Sequence, residues 1–389
     1  MKETQSLAIF GSTGSIGRQT LAVCRHLGLR AETLCARRNV GLMEEQIRAF
    51  SPSLAVLSEP EAAKDLRLRV ADTATRVLSG AEALEEAAER SAADTAVTAM
   101  EGISGLRPTM AAIRSGKKIA LANKETLVCA GRLVYAAAAA HGVDILPVDS
   151  EHAAIHQCLH SRGDADCVRK LILTASGGPF FGKSAEELAN VTAADALRHP
   201  NWSMGQKITI DSATMMNKGL ELIEAMHLFR VRPEHIEVVV HRESIIHSLV
   251  EFCDGSTVAQ LGVPDMQLPI QYALTWPVRR ESLTPPVRLA QVGALHFAEP
   301  DDANFPALSL ARRVAAMPSS AAVTMNGANE VAVAAFLAGR IPFMRIPALC
   351  AAAVEALPAF ECQNIGEVLT ANAAAREFAR GYMNCDFER

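Results

Sequence analysis

The apolar positions of the first 149 residues fall into short runs separated by helical periodicity. Leu7-Ala8-Ile9-Phe10 leads into a glycine-rich turn and a helical stretch to about Leu27. Further strand-like runs lie at Ala31 to Ala36, Leu54 to Leu57, Thr95 to Met100, Lys118 to Ala122 and Asp144 to Val148, with alanine-rich helical stretches between most of them. Strand-helix-strand alternation at this spacing predicts an α/β, Rossmann-like parallel sheet with helices on both faces. From residue 150 to about 275 the pattern changes. Leu171 to Thr174 and Val238 to His241 read as strands, while Ser244 to Phe252 and Ser256 to Leu261 flank Asp254-Gly255. That dipeptide favours a hairpin because glycine tolerates positive φ, so a central α+β domain with antiparallel strands is expected. Residues 276–300 hold Pro277, Pro285, Pro286 and Pro300 and read as an extended linker. Beyond 301, helices are expected over Pro306 to Met317, Ala328 to Ala338, Ile346 to Leu357 and Ile365 to Arg380, with Gly339, Pro358 and Gly381 just past three of their ends. They predict a C-terminal helical bundle.

Composition narrows the function classes. A chain of 389 residues suggests two or three domains at about 150 residues each. Lys plus Arg is 38 against 43 Asp plus Glu, a net charge of -5, which argues against a nucleic-acid partner. The longest apolar run is too short for a membrane helix, and the chain reaches Gly11 after only four apolar residues, so neither a membrane partner nor a signal-peptide core is expected. Nine dispersed cysteines without a Cys-x-x-Cys pair read as reduced thiols of a cytoplasmic protein.

Chemistry concentrates at the ends of the predicted strands. Gly11-Ser12-Thr13-Gly14-Ser15-Ile16-Gly17 follows the first strand and opens the first helix. Glycines three apart let the backbone turn tightly and approach a pyrophosphate, and the helix start offers free N–H groups. After the second strand stands Arg37-Arg38-Asn39, where an NAD-specific domain would place an acidic residue. Two guanidiniums suit a 2′-phosphate, so NADP(H) is expected over NAD(H), against the alternative of a solvated basic turn.

Two polar clusters, Asn123-Lys124-Glu125 and Asp149-Ser150-Glu151, follow two further strands. In an open parallel sheet both would point into one crevice, and both carboxylates of Asp-x-Glu can face one hard cation. Asn217 and Glu221 are i,i+4 and share a helix face. Ser212, Asn217 and Lys218 supply the hydroxyl, amide and ammonium groups that suit a phosphate. Glu221 would complete an Asp149, Glu151, Glu221 oxygen cage for Mg²⁺ or Mn²⁺; an exposed Lys218–Glu221 pair is the plainer alternative. Ser176-Gly177-Gly178 reads as a loop where backbone meets ligand, and His199 to Gly205, with Trp202 beside Pro200 and Gly205, as a mobile lid. His152, His156 and His160 read as a polar helix face, and His241 and His247 as structural.

These motifs together resemble the 1-deoxy-D-xylulose 5-phosphate reductoisomerase family over nearly the whole chain. The resemblance rests on Gly-Ser-Thr-Gly-Ser-Ile-Gly at 11–17, Leu-Ala-Asn-Lys-Glu at 121–125, Pro-Val-Asp-Ser-Glu-His at 147–152 and Ser-Gly-Gly-Pro-Phe at 176–180. It extends through His-Pro-Asn-Trp-Ser-Met-Gly at 199–205, the run from Asp211 to Glu221, Leu-Gly-x-Pro-Asp-Met at 261–266 and Ala-Asn-Glu at 328–330. It implies a homodimeric enzyme that uses NADPH and a divalent metal to rearrange and reduce 1-deoxy-D-xylulose 5-phosphate to 2-C-methyl-D-erythritol 4-phosphate. Residues 1–149 would then bind NADPH, 150–275 would be catalytic and dimerising, 276–300 a linker and 301–389 the helical domain. By motif position, Asp149, Glu151 and Glu221 would hold the metal, and Ser176, Ser212, Asn217 and Lys218 the phosphate. Lys124, Ser150 and His199 would contact the rest of the substrate, with Trp202 and Met204 closing over it. Thr13, Gly14, Ser15, Ile16, Arg37, Arg38, Asn39, Asn123, Glu125 and Gly205 would hold NADPH. Arg37 departs from the family's usual residue at its position, so its side chain or only its backbone would contribute. A retro-aldol and aldol sequence is the favoured route, with a 1,2-shift left open. The alternatives are an NADP-dependent dehydrogenase of another phosphorylated substrate and a non-enzymatic NADPH-binding regulator.

The Arg37-Arg38-Asn39 turn generates the first prediction. NADPH should be strongly preferred over NADH, and Arg38→Ala should raise the KM for NADPH more than that for NADH. Steady-state kinetics with both cofactors check this, and equal use of both by the unmutated chain would defeat it.

Overall fold

The computed structural model describes residues 5–160, 167–202 and 204–385. It divides into two compact units. One comprises the chain up to Thr126 together with Val134–Ala153 and Asp265–Pro285; the other comprises Leu127–Leu133, Ala154–Pro264 and the chain from Pro286 onward.

The first unit is built on seven parallel strands: β1 (Ser6–Phe10), β2 (Arg30–Ala36), β3 (Leu54–Leu57), β4 (Arg76–Ser79), β5 (Thr95–Thr98), β6 (Lys118–Leu121) and β7 (Ile145–Pro147). Their order is β4-β3-β2-β1-β5-β6-β7. Sequence order runs outward in both directions from β1, so the chain reverses its winding beside β1, where ligands of such sheets bind. Strands buried on both faces need continuous apolar runs, and Leu7, Ile9, Leu34, Leu57 and Val97 are all fully buried. The expected strands are present. Strand β4 was not expected; it lies at the sheet edge, where Val77 and Leu78 are its only large apolar residues.

The helix Gln267–Thr275 follows the central region in sequence but packs in the first unit, against the helix Ser15–Leu27. Its Ile270, Ala273 and Leu274 join the same core as Leu7 and Val23. Burial of that apolar face decides where the helix goes.

The second unit holds a sheet of β8 (Val168–Ala175), β9 (Ile236–Val240), β10 (Ile246–Phe252) and β11 (Thr257–Leu261), in the order β11-β10-β8-β9. Asp254-Gly255 sits in the β10–β11 hairpin as expected, with Gly255 at φ 85°. The pairing differs from expectation in one respect: β8 and β9 are parallel. The crossover between them carries the helices Gln206–Ala213 and Met216–Phe229, and a crossover of that length is what parallel neighbours require. In the stretch 276–300, expected as a linker, Ala298 pairs with Val240 in an antiparallel bridge.

The bundle contains the helices Ala307–Ala315, Ser320–Leu337, Arg345–Ala356 and Ile365–Cys385. Ser320–Leu337 starts eight residues before the expected Ala328, because it is buried nearly all round and shows no polar face to mark its period. The last helix also runs through Gly381, whose added Cβ would meet nothing within 4 Å. An exposed helical glycine costs about 1 kcal/mol, which the packing against Ser320–Leu337 outweighs.

Two glycines test the first unit. A Cβ at Gly17 would lie 2.2 Å from the Gly11 carbonyl oxygen and 2.5 Å from Ser12 Cα, both backbone atoms that cannot swing aside. Gly17→Ala should therefore cost about 1–3 kcal/mol. Gly41, in the helix Val40–Phe50, faces open space. Gly41→Ala should be neutral or stabilising by up to about 1 kcal/mol. Chemical denaturation of both variants measures the contrast; equal stabilities would contradict it.

Candidate active site

The glycine loop starts with Gly11 at φ 96°, where a Cβ would meet the Ala99 carbonyl at 2.3 Å. Gly11 and Gly17 are thus required by the turn and by its packing. Gly14 is different: a Cβ there would meet only the Gly11 carbonyl, at 3.3 Å. It is the N-cap of Ser15–Leu27, makes no side-chain cap and is followed by no acidic residue in the first turn. The Gly14 N–H donates to the Gly11 carbonyl at 3.0 Å, which leaves the N–H groups of Thr13, Ser15 and Ile16 and the positive end of the helix dipole to suit a pyrophosphate, whose approach a side chain at Gly14 would block.

The basic turn behind it is already partly committed. Arg37 Nε donates to Glu59 Oε1 at 2.9 Å, and Asn39 Oδ1 caps the helix Val40–Phe50 by accepting from Leu42 N–H at 3.1 Å. Arg38 is exposed and forms no ion pair among the described residues. Of the two guanidiniums, Arg38 is the one placed to meet a phosphate without first leaving a carboxylate.

At the ends of β6 and β7 the first unit gathers its charged groups. Asn123 is buried; its Nδ2 donates to the carbonyls of Met100 and Gly102 and to Glu125 Oε2 at 2.9 Å. Lys124 is also buried, and its Nζ lies 2.7 Å from Asp149 Oδ2. Ser150 Oγ donates to Glu151 Oε2 at 2.5 Å. Burial pushes the Asp149 carboxyl up, but Lys124 and then His152 outweigh it and hold the group well below the usual carboxylate range. Asp149 Oδ1 is buried and accepts no hydrogen bond among the described residues. A desolvated, ionised oxygen beside a second carboxylate fits a hard divalent cation. His152 departs from the polar-face expectation. It is fully buried, with Nδ1 3.9 Å from Asp149 Oδ1, because i,i+3 from Asp149 turns it inward.

The second unit gathers the remaining candidates around one imidazole. His199 Nδ1 accepts from the backbone N–H groups of Asn201 at 3.2 Å and Trp202 at 3.0 Å. The neutral ring therefore carries its proton on Nε2. That nitrogen lies 2.9 Å from Ser176 Oγ and 3.1 Å from Ser212 Oγ. Gly178 N–H also donates to Ser176 Oγ, and a Cβ at Gly178 would meet the Ser212 carbonyl at 2.8 Å. Burial, then the charge of Arg242, pushes the His199 imidazole down to about 4. On the helix Met216–Phe229, Asn217 Nδ2 donates to Glu221 Oε1 at 2.5 Å and Lys218 Nζ to Glu221 Oε2. Lys218 and Glu221 are both buried, so the pair is not the exposed alternative. Ser203 of the lid motif lies outside the described residues. The Trp202 ring sits 6.0 Å from the His247 ring, and Met204 and Gly205 lead into the helix Gln206–Ala213.

Several further residues were given no place in the candidate site by the sequence. Asp211 is buried between Lys207 Nζ, 2.7 Å away, and Asn329 Nδ2, 2.8 Å away on a helix 118 residues later. Arg242 and His247 come from the β9–β10 turn and strand β10. The run from Asp211 to Glu221 and the Ala-Asn-Glu motif marked Asp211 and Asn329 beforehand, and His247 was expected to be structural; Arg242 carried no mark.

The glycine loop, the winding reversal beside β1 and the uncapped helix start define a dinucleotide-binding α/β protein. Family models refine that class. The reductoisomerase model, "1-deoxy-D-xylulose 5-phosphate reductoisomerase", matches residues 7–131, and its two C-terminal domain models match residues 145–229 and 261–378. The chain belongs to the 1-deoxy-D-xylulose 5-phosphate reductoisomerase family. It is 52% identical to the enzyme of that name from Heliobacterium modesticaldum, over 96% of each chain. To that from Nitrosomonas eutropha it is 47% identical, over 99% of this chain and 95% of the relative. A crystal structure of DOX-P reductoisomerase in complex with NADPH, fosmidomycin and magnesium superposes with a TM-score of 0.93 at 44% identity, covering 98% of each chain. The Zymomonas mobilis reductoisomerase in complex with NADPH gives 0.91 at 42% identity, covering 98% of this chain and 99% of that one.

The His199 geometry yields a pH prediction. Its folded-state value near 4 lies below the ordinary 6.5, so between those values the unfolded chain binds more protons at this residue. Stability should therefore rise with pH across about 4 to 6.5 and be lost on acidification; His247, also pushed down to about 4, acts in the same direction. Histidine ¹⁵N NMR should show His199 neutral and protonated on Nε2 at pH 6. A charged ring at that pH would refute the assignment.

Proposed function

We propose that this chain converts 1-deoxy-D-xylulose 5-phosphate to 2-C-methyl-D-erythritol 4-phosphate, with NADPH as reductant and Mg²⁺ or Mn²⁺ as the required cation. The observation that carries the reading is identity of 47–52% to reductoisomerases over at least 95% of both chains. In this reading Asp149, Glu151 and Glu221 hold the cation. When bound there, the cation supplies a Lewis acid for the substrate's carbonyl and adjacent hydroxyl, and NADPH supplies hydride.

The chain's own groups do the rest. Lys124, fixed by Asp149, and Ser150 would bind the substrate's oxygens. Ser176, Ser212 and Asn217 offer hydrogen-bond donors to the phosphate, and Lys218 offers charge. His199 was expected to meet the rest of the substrate, but its Nε2 lies beside Ser176 and Ser212, so in this reading its proton is donated to the same phosphate, and the neutral ring adds a hydrogen bond without adding charge. Trp202 and Met204 cover the site and exclude water. Thr13, Gly14, Ser15 and Ile16 bind the pyrophosphate of NADPH, Arg37, Arg38 and Asn39 its 2′-phosphate end, and Asn123, Glu125 and Gly205 its remaining polar groups. We further read the protein as a cytoplasmic homodimer. Burial pushes the Cys35 and Cys350 thiols up, as suits reduced, unreactive cysteines. No helix among the described residues is long and apolar enough to cross a membrane. The edge strand β11 offers a second copy an exposed sheet margin.

An NADPH absorbance assay with the named substrate tests the reading. Activity should vanish in excess chelator and return with Mg²⁺ or Mn²⁺. Glu221→Gln should keep NADPH affinity, measured by fluorescence titration, while losing about 2–4 orders of magnitude in kcat. Full turnover in chelator would overturn the metal assignment. Inactivity on this substrate alone would favour a dehydrogenase of another phosphorylated compound.

A further inference from the structure

We propose that Arg242 is the positioning residue of the substrate-phosphate site, holding the Ser176–Gly178 turn and the Trp202 segment in one register. The inference rests on the reading just given for that site. Arg242 Nη1 donates to the Ser176 carbonyl at 2.7 Å and to the Gly178 carbonyl at 2.6 Å. Between those carbonyls the backbone is left-handed, with φ 73° at Gly177 and 65° at Gly178. Glycine adopts that conformation readily but is not confined to it, so an outside clamp is what selects it. The guanidinium face also lies over the Phe181 ring, 5.2 Å from its centroid.

The backbone of Arg242 ties in the second segment. Its carbonyl accepts from Asn201 Nδ2 at 2.5 Å, and Ser244 Oγ lies 2.9 Å from the same nitrogen. Asn201 stands between His199 and Trp202, and the backbone N–H groups of Asn201 and Trp202 orient the imidazole. One residue of the β9–β10 turn thus joins the turn that presents Ser176, the imidazole that bonds it and the aromatic cover. Arginine suits the task because one terminal nitrogen of its guanidinium, Nη1, meets both carbonyls while the rigid plane behind it lies over the Phe181 ring. A lysine keeps the charge but has no planar face to hold its nitrogen in that place. The Arg242 charge acts on His199 as well, whose other close contacts, the hydroxyls of Ser176 and Ser212, are neutral.

Full-length Arg242→Gln and Arg242→Lys variants separate these effects. Arg242→Gln should raise the KM for 1-deoxy-D-xylulose 5-phosphate and the Kd of inorganic phosphate, read by calorimetry, about tenfold or more. The Kd of NADPH should be unchanged, and His199 should titrate at higher pH by NMR. Arg242→Lys should leave KM and phosphate Kd raised but return the His199 titration toward its native position. Native KM and phosphate affinity in Arg242→Gln would overturn the proposal. So would full recovery by lysine, or an equal loss of NADPH affinity. If the unmutated chain ignores the sugar phosphate yet loses phosphate affinity in Arg242→Gln, the substrate reading fails and the positioning role stands.

Discussion

A carboxylate taken out of water must be met by a partner, and this chain buries several. Asp149 faces Lys124, Glu221 faces Lys218 and Asp211 faces Lys207. Desolvating two ions costs several kcal/mol each, and their attraction offsets this only with good geometry and further hydrogen bonds. Apolar residues of the same volume would pack as well or better. Buried pairs of this kind are therefore weak evidence for stability and better evidence for chemistry. In the first unit the pair leaves an ionised oxygen, Asp149 Oδ1, without a hydrogen bond among the described residues.

The two units build their candidate sites by different physical means. In the first, backbone supplies the groups: a parallel sheet delivers a glycine turn to a helix start that no side chain caps. In the second, side chains supply them, and the backbone is bent to bring them together. Met215 adopts φ 63° between the helices that carry Ser212 and Lys218, an uncommon conformation for a residue with a side chain. His199 then reads two hydroxyls from separate segments with one nitrogen while the backbone fixes its other nitrogen. The imidazole is neutral because its surroundings are dry and positively charged, and a neutral donor can approach a phosphate without disturbing the local charge balance.

Much of the fold was legible because it rests on local signals. Apolar runs before glycine and Asp-Gly between two strands each have a local physical cause. Residues 199–221 were legible as a candidate site because the motif is nearly contiguous. Strand β4 was missed because an edge strand with two apolar residues looks like a turn. Gly381 was misread as a helix end because tertiary packing outweighs a small local penalty.

By itself, then, the sequence determined the parallel sheet, the hairpin, the glycine loop and the residue types of the candidate site. All follow from periodicity, turn chemistry or spacing within a few residues. Only the tertiary structure decided the parallel pairing of β8 with β9, the attachment of Gln267–Thr275 to the first unit and the burial of His152. It also decided which guanidinium of the basic turn is engaged, and that Arg242 and Asn329 support the second unit's polar network. Strand partners and buried contacts are set by which surfaces meet across tens to hundreds of residues. Nothing in a residue's immediate neighbours encodes that meeting.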